Sequence, residues 1–401
     1  MNAPQPSHSP RYEFLDALRG LAILGVVCTH AAWFATGGSP HPDATFRGEP
    51  FAMAGMYGVQ LFFLVSAFTI FMTLERALTK ERVPVRSFYV RRVLRILPMF
   101  WVGIVLYAFL PGREHYYAHF NLTASYYIVT ALFQHTWHPY YINSVVPGCW
   151  TIGVEMTFYM VTPLIFFRVR TWQRAVYFLL ATLFLAEAAN YSLRHLTDHH
   201  GLFQPVLADQ PELMQQYYFK WFPSQLPVFA CGILTYCIVK SLPDSFRIKR
   251  NGLVILAASA VLLYNAVDIG SHRVLPEQVV FGFGFLLLIL ALAIYPQRLL
   301  VNPVTGFLGR ISYSFYLMHF LVMEGEIRLF QTYLPHLYDK PALAFVALLA
   351  GTLMLATPVA WTTYTIVEQP FIRLGAAIVR RLNATAPIAT KPAVALTPSD
   401  T

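Results

Sequence analysis

Arginine and histidine bracket an apolar stretch near the start of this sequence, and both side chains are able to do chemistry inside a membrane. The segment RGLAILGVVCTH runs from Arg19 to His30. Eleven α-helical steps turn through about 1100° and rise roughly 16 Å, so the two side chains lie on one face. A guanidinium suits anion binding, an imidazole suits general acid–base catalysis, and Asp16 is placed to orient Arg19. The alternative is a membrane-surface anchor at Arg19 and a packing histidine at His30.

A second polar stripe lies in ISYSFYLMHF, residues 311–320. Ser312, Tyr316 and His319 occupy positions i, i+4 and i+7, so they share one face of an otherwise apolar helix. These groups are candidates to hydrogen-bond a reacting atom. Ordinary hydrogen bonds between membrane helices are the alternative.

A single carboxylate interrupts the apolar segment PGCWTIGVEMTFYMVTP, residues 147–163. Glu155 lies about seven residues inside this segment, with Tyr159 four positions after it. Because an ionisable group is costly in a bilayer, it is a functional candidate by default. We expect His30, His319 or a nearby arginine to be its partner, and a purely structural ion pair is the alternative.

Arginines cluster in RRVLRILPMFW, residues 91–101, at the start of another apolar run. Arg92 and Arg95 are three positions apart. Arginine binds phosphate oxygens through paired hydrogen bonds, so the spacing predicts a phosphate clamp; anchoring at the inner leaflet is the alternative. Together, the four groups predict an arginine-lined opening on the cytosolic side that leads to a cluster of His, Glu, Tyr and Ser. This arrangement suits transfer from a phosphorylated cytosolic donor to an acceptor within or across the membrane. A proton-coupled transporter would carry the same residues.

The elements that must position these groups are membrane helices. The chain has 401 residues, is 56% hydrophobic and 12% charged, and has a mean hydropathy of +0.50. Since about 20 apolar residues cross a bilayer, this composition predicts an all-α polytopic membrane protein. The predicted spans are 17–37, 54–75, 95–111, 148–167, 174–192, 223–240, 252–268, 278–296, 311–330 and 342–367.

Basic residues fix the predicted topology. Lys and Arg concentrate in every second loop, which indicates about ten transmembrane helices with both termini cytoplasmic. The pattern holds only if the shorter segment 123–134 does not cross. The net charge of +9 is then explained by loops facing anionic lipid, and no nucleic-acid-binding signature is present.

The polar ends of the chain predict its domain organisation. Residues 1–10 and 383–401 are rich in Pro, Ala, Ser and Thr, so we expect a disordered N-terminal segment, a transmembrane domain over 11–382 and a disordered cytoplasmic tail. The first span is expected to be a retained helix, not a cleaved signal. The four cysteines have no metal-binding or redox spacing, so we expect buried small apolar residues and no metal site.

Six segments, taken in order, resemble the signatures of membrane acyltransferase family 3. FLDALRGLAILGVVCTH is similar to the family's Leu-Asp-x-Leu-Arg-Gly opening with its Arg and His, and GVQLFFLVSAFTIF to Phe-Phe-x-x-Ser-Gly. RRVLRILPMFW resembles Arg-x-x-Arg-x-x-Pro, WTIGVEMTFYMVTPL resembles Trp-Ser-x-x-x-Glu-x-x-Phe-Tyr-x-x-x-Pro, and ISYSFYLMHF with VEQPF resembles the late signatures. The resemblance covers roughly residues 11–373. Ala67 stands where the family usually has Gly, a change expected to alter helix packing more than chemistry.

The resemblance implies an integral-membrane O-acyltransferase in the inner membrane of a bacterium. Its donor would be cytosolic acyl-CoA, most often acetyl-CoA, and its acceptor a hydroxyl of a cell-surface or exported glycan. Some relatives carry a C-terminal hydrolase-like domain. This sequence shows none, so we expect the reaction to finish in the bundle or on a separate acyl-accepting partner protein.

The resemblance also assigns roles to particular residues. Arg19 and His30 match the family's essential pair, and Arg92 and Arg95 match its Arg-x-x-Arg. We expect these arginines to hold the CoA phosphates and His30 to act as general base, with transient acyl-histidine as a variant. The roles of Glu155 and His319 rest on their depth and polarity and not on the resemblance, and Glu155 would orient or charge-compensate His30. Tyr316 or His319 would hydrogen-bond the developing oxyanion.

Other functions remain open from the residues alone. A transporter or flippase of a glycan or lipid intermediate is the main alternative, although internal repeats and broken helix pairs are not evident. A membrane-bound O-acyltransferase of the other large class and a scaffolding protein are weaker candidates. We expect acceptor contacts from the outer loops 38–53, 112–147 and 193–222. Their aromatic and histidine residues suit either sugar stacking or an interfacial belt: His115, Tyr116, Tyr117, Trp137, His138 and Tyr140.

Overall fold

The computed structural model describes residues 12–36, 46, 48–109, 122–268 and 275–385. Within these ranges the regular structure is helical, and no strand occurs. The α-helices are α1 (Glu13–Ala35), α2 (Glu49–Ala54), α3 (Gly58–Lys80), α4 (Pro84–Phe109), α5 (Ala124–Ala131), α6 (Trp150–Arg168), α7 (Trp172–His200), α8 (Gln204–Asp209), α9 (Pro211–Lys220), α10 (Phe222–Ser241), α11 (Lys249–Asp268), α12 (Glu277–Ile294), α13 (Pro303–Arg310), α14 (Ser312–Tyr333), α15 (Pro341–Thr363) and α16 (Gln369–Thr385). A π-helical turn, Tyr364–Glu368, joins α15 to α16.

The protein is an all-α polytopic membrane protein, as the composition predicts. Nine helical stretches in the described ranges are long and apolar enough to cross a bilayer. The one remaining predicted span, 311–330, corresponds to α14, which has 22 residues and therefore a length of roughly 33 Å. It falls outside the nine because its polar stripe and its charged C-terminal half lower its hydropathy.

The doubtful segment 123–134 does not form a span. It contains α5, an eight-residue helix. Eight residues rise only about 12 Å, against the roughly 30 Å of a bilayer core. The structure therefore agrees with ten crossings and not eleven, and the sidedness of the termini stays a prediction.

Close backbone contacts hold α1 at the centre of the bundle. Gly20 faces the backbone of Thr305 and Gly309 faces the backbone of Asp16, so a Cβ at either glycine would overlap a carbonyl group. Gly58 of α3 meets the backbone of Ala22 in the same way. Small residues permit this close approach between membrane helices. These contacts fix the position of α1 against α13 and α3, and thereby the direction in which Arg19 points.

Helices differ in how much of their surface lies inside the bundle. In the most apolar part of α3, and of the stretch from α9 to α10, 83% of the residues are buried inside the bundle. The corresponding share is 22% for α7 and 17% for α11. The first group forms the core, and the second presents its apolar side chains to lipid. Ala67 is fully buried in α3, and Gly232 of α10 packs against it. The alanine that replaces the usual glycine of the resembled motif therefore lies at a contact between two helices.

The ends of the chain are described only in part. Helix α16 continues to Thr385, three residues beyond the predicted boundary at 382, and Asn383 accepts a hydrogen bond from the Arg82 backbone N–H at 2.6 Å. Residues 1–11 and 386–401 lie outside the described residues, as do His115, Tyr116 and Tyr117. The two terminal ranges contain all of the predicted N-terminal segment and most of the predicted C-terminal tail. Three cysteines are buried as expected, namely Cys149, Cys231 and Cys237, and Cys28 is half-buried.

Candidate active site

A narrow cavity between α1, α3, α4, α6 and α14 collects most of the predicted site residues. Five of them line it: Arg19, Arg92, Arg95, Glu155 and Tyr316. Ser312, from the predicted stripe, lines it as well, together with Ser66 and Tyr159. His30 and His319 do not line this cavity. Its volume is about 80 Å³, so it holds a few water-sized groups and must widen to admit a larger molecule.

Glu155 is bound by two hydroxyl groups and not by a histidine. Ser66 Oγ donates to its carboxylate at 2.5 Å, and Tyr159 donates to the same oxygen. Arg92 lies over the Tyr159 ring, 5.4 Å from its centroid. The expectation that Glu155 orients His30 is therefore wrong in this structure: the carboxylate belongs to the arginine cavity.

The three arginines of the cavity differ in their partners. Arg19 forms an ion pair with Asp16 at 2.8 Å, as the sequence spacing predicts, and donates to Thr69 Oγ1 at 2.9 Å. Arg92 and Arg95 form no hydrogen bond or ion pair with any residue in the described ranges. Guanidinium groups that point into a cavity without such partners are suited to bind an anion.

Glu368 is an important neighbour of these arginines that the sequence reasoning did not single out. Its side chain is buried, accepts a hydrogen bond from Ser314 Oγ at 3.0 Å, and acts electrostatically on Arg95. It ends the π-helical turn, and such turns are frequent at functional sites. The available signal was VEQPF, in which an acidic residue follows a long apolar run.

Tyr316 connects the arginine cavity to the histidines. Its hydroxyl donates to the Gly148 carbonyl at 3.0 Å and accepts from Thr151 Oγ1 at 3.2 Å. Its ring centroid lies 5.8 Å from that of His319. The cavity and the histidines therefore meet across one phenol side chain.

His30 and His319 lie together beyond Tyr316. Their ring centroids are 5.5 Å apart, and Phe320 packs at 4.3 Å from each. His319 Nδ1 bonds the Tyr316 carbonyl at 2.7 Å, so Nδ1 carries the proton, because a carbonyl can only accept. Its Nε2 then has a lone pair with no hydrogen-bond partner in the described ranges. This tautomer suits His319 to accept a proton and not to donate to an oxyanion.

Lys220 is a second residue that the sequence reasoning missed. Its ammonium donates to Gln216 Oε1 at 2.6 Å, lies 6.0 Å from the Trp150 ring, and acts electrostatically on His30. Predicting the span from position 223 left this lysine in a loop. The only available signal was a cation inside the aromatic sequence YYFKWF.

The family assignment follows from comparison with known proteins. The family of acyltransferase 3, described as an acyltransferase domain, matches residues 12–361. The chain belongs to this family. Nodulation protein 10 of Rhizobium leguminosarum bv. viciae is 24% identical over 405 residues, covering 94% of this chain and 98% of that protein. A protein of Acidianus two-tailed virus named "Putative acetyltransferase ORF330" is 24% identical over 326 residues, covering 80% and 85%. No solved structure matches the chain.

Membership identifies the chain as an acyltransferase of the membrane, and the matched range contains most of the described site. Arg19, His30, Arg95, Glu155 and His319 all lie within residues 12–361. Glu368 lies seven residues beyond it. Among the described residues, no group of three or more His, Cys, Asp or Glu side chains is arranged to hold a metal ion.

Proposed function

We propose that this acyltransferase moves an acyl group, with acetyl the simplest case, from cytosolic acyl-CoA to a hydroxyl of a cell-surface or exported glycan. The observation that carries the proposal is a cavity with two unpaired arginines, Arg92 and Arg95, next to a pair of histidines. CoA is a phosphorylated carrier, so these arginines match its charge. The proposed location is the inner membrane of a bacterium, with the arginine end facing the cytosol.

In the proposed donor complex, the CoA phosphates bind Arg92 and Arg95 at the mouth of the cavity. Arg19 is already held by Asp16 and contributes a third positive charge. Because the cavity has a volume of only about 80 Å³, entry of the pantetheine arm requires side chains to move. Tyr316 is the side chain in the way, since it separates the cavity from the histidines.

The proposed chemistry takes place at the histidines. The acceptor hydroxyl oxygen attacks the thioester carbonyl while its proton passes to a histidine Nε2, and His30 is the proposed general base. The C–S bond then breaks, and the CoA sulfur leaves as a thiol after taking a proton from the imidazolium. His319, fixed by its Nδ1 bond, is a proton-accepting partner for His30. Attack of His30 itself on the thioester, giving an acyl-histidine, is the alternative route.

Tyr316 and Glu155 have supporting roles in this proposal. The Tyr316 hydroxyl is the proposed donor to the oxyanion once it leaves the Gly148 carbonyl, because the His319 tautomer does not provide a donor there. Glu155 holds Ser66 and Tyr159 and balances the charge of the arginines, which keeps them in the cavity before the donor binds.

Mass spectrometry of surface glycans tests the function. Cells that express the protein are compared with cells that express His30→Ala in the same amount in the membrane. We expect one glycan to lose an acyl mass in the variant. Identical glycans in both would contradict the proposal, and an unmodified glycan that fails to reach the surface would indicate transport.

A further inference from the structure

A second cavity lies away from the arginines, between the C-terminal half of α7, α9 and the start of α12. We call it the α7–α9 groove. Its volume is about 440 Å³, within the roughly 300–1,000 Å³ typical of small-molecule sites. Its lining combines aromatic rings with polar groups and includes Glu187, Asn190, Tyr191, Arg194, Tyr218 and Phe219.

We propose that the α7–α9 groove binds the saccharide of the acceptor, an inference that rests on the proposed function. Aromatic faces stack against the apolar C–H faces of sugar rings, and amide, carboxylate and guanidinium groups bond hydroxyls in fixed directions. A site for an apolar lipid tail would not need these polar groups. A site for an anion alone would not need three aromatic rings.

Several groups in the groove are held ready for a ligand. Asn190 accepts from Trp221 Nε1 and donates to Ser224 Oγ, both at 2.8 Å, so its position is fixed. Arg194 stacks over Tyr218, 4.8 Å from the ring centroid. Glu187 forms no hydrogen bond or ion pair with any residue in the described ranges, so its carboxylate is free to accept from a hydroxyl.

The groove adjoins the surroundings of the histidines through two consecutive residues of the chain. Phe219 lines it, and the next residue is Lys220, whose charge acts on His30. The Phe219 ring lies 6.2 Å from that of Trp150, and the residue after Trp150, Thr151, lines the arginine cavity. Since α7 starts beside a basic cluster, the charge rule places its other end and the groove toward the outer face. Donor and acceptor would thus reach His30 from different sides of the membrane.

The saccharide could be carried by a lipid or belong to a free polysaccharide, and both present the same rings and hydroxyls. One turn before the groove, Phe184 and Leu185 of α7 are 78% and 51% exposed on the outside of the bundle. A lipid-linked saccharide would cover this apolar surface. A free polysaccharide would leave it in contact with membrane lipid.

The test uses Tyr191→Ala with Tyr177→Ala as its matched control. Both tyrosines belong to α7 and are equally exposed, at 72% and 71%, but only Tyr191 lines the groove. Wild type and both variants are purified in nanodiscs with radiolabelled acetyl-CoA. Two acceptor probes come from the same expressing cells: the solvent-extracted lipid-linked glycan fraction and the water-soluble polysaccharide fraction. Glycan binding, acyl transfer and acetyl-CoA binding are measured separately.

We expect Tyr191→Ala to raise the acceptor KM and weaken glycan binding about tenfold, as loss of one stacking ring implies, with acetyl-CoA binding unchanged. Tyr177→Ala should match wild type, and the probe that shows the effect identifies the source of the saccharide. Equal glycan binding by Tyr191→Ala and Tyr177→Ala would overturn the groove assignment, as would no glycan binding by wild type. Glycan binding without any acyl transfer would instead leave the groove standing and overturn the proposed function.

Discussion

Arg95 is the residue where donor binding is most directly testable. Its guanidinium faces the cavity without a hydrogen-bond partner, so Arg95→Ala should weaken acetyl-CoA binding about ten- to a hundredfold, the loss of one charge-assisted contact. Arg95→Lys should restore only part, because an ammonium lacks the paired donors. Arg86→Ala, an exposed arginine on the same helix, is the control. Isothermal titration on purified protein measures all three, and equal affinities would mean that Arg95 only anchors the helix.

The histidine pair should affect turnover and not donor affinity. We expect His30→Ala and His319→Ala each to lower acyl transfer by roughly 10²–10⁴-fold, the usual contribution of general acid–base catalysis, while acetyl-CoA binds as before. His336→Ala, with a side chain 94% exposed in the loop before α15, should behave as wild type. Transfer rates and donor affinity measured on the same preparations separate the two effects. Full activity in His30→Ala would contradict its role as base.

At the residue scale, the sequence predicted groups that repeat at helical spacing and missed groups that act across helices. Asp16 and Arg19 pair as their spacing indicates. The partners of Glu155 come from α3 and from its own helix, which spacing alone could not decide. Glu368 and Lys220 matter through contacts with residues far along the chain. A single sequence contains no record of such contacts.

Gly148, at the end of the loop before α6, positions Tyr316 and so couples a loop to a helix. Its φ is +78°, and a Cβ there would lie 2.6 Å from the Tyr316 hydroxyl. Gly201 provides the control because its φ is +71° with nothing within 4 Å. Both Gly→Ala changes should cost roughly 1–2 kcal/mol of backbone strain, but only Gly148→Ala should also displace Tyr316 and reduce acyl transfer. Thermal unfolding and transfer assays compare them, and equal activity would contradict the coupling.

The turn between α5 and α6 contains a buried histidine that should make stability depend on pH. Burial lowers the pKa of His135 to about 4, and its Nε2 bonds the Cys149 carbonyl at 2.9 Å. Unfolding exposes a histidine of ordinary pKa, near 6.5, so the unfolded state binds more protons between these values. The contribution of neutral, buried His135 to the free energy of unfolding is therefore fully present above about pH 6.5, and it is lost as the pH falls toward 4. Melting temperatures of wild type and His135→Gln from about pH 7.5 to 4.5 measure this, and parallel curves would contradict it.

At the element scale, apolar length predicted helices well and hydropathy alone would have omitted the most informative one. Helix α14 carries Tyr316 and His319, and its polar stripe together with the charged residues of its C-terminal half lowers its hydropathy. It is nevertheless among the spans predicted from the sequence, as 311–330, and ten spans satisfy the alternation of basic loops. The same pattern excluded 123–134, which the structure shows as the short helix α5. What the sequence could not give was which helices touch, because several lipid-facing and core helices have similar compositions.

The topology of the whole molecule decides which end of the cavity meets the cytosol. With ten spans and inner termini, the turn at Asp244–Phe246 is cytosolic and the loop at Asp339 is external. In a variant whose four cysteines are replaced, a cysteine at exposed Asp339 should react with an impermeant thiol reagent in intact cells. A cysteine at exposed Ser245 should react only after permeabilisation. The opposite pattern would place Arg92 and Arg95 outside and contradict a cytosolic donor.

The pairing of His30 with His319 also has a consequence for how the protein is made. The two residues are 289 positions apart, so a ribosome adding about 5–20 residues per second reaches the second roughly 15–60 s after the first. During that interval α1 is in the bilayer with Arg19 and His30 on one face and without α14 beside it. Nascent chains that stop before Ser312 should therefore remain bound to insertion machinery or be degraded. The histidine pair is in this sense completed late in synthesis, so a chain that stops before α14 lacks half of its proposed catalytic pair.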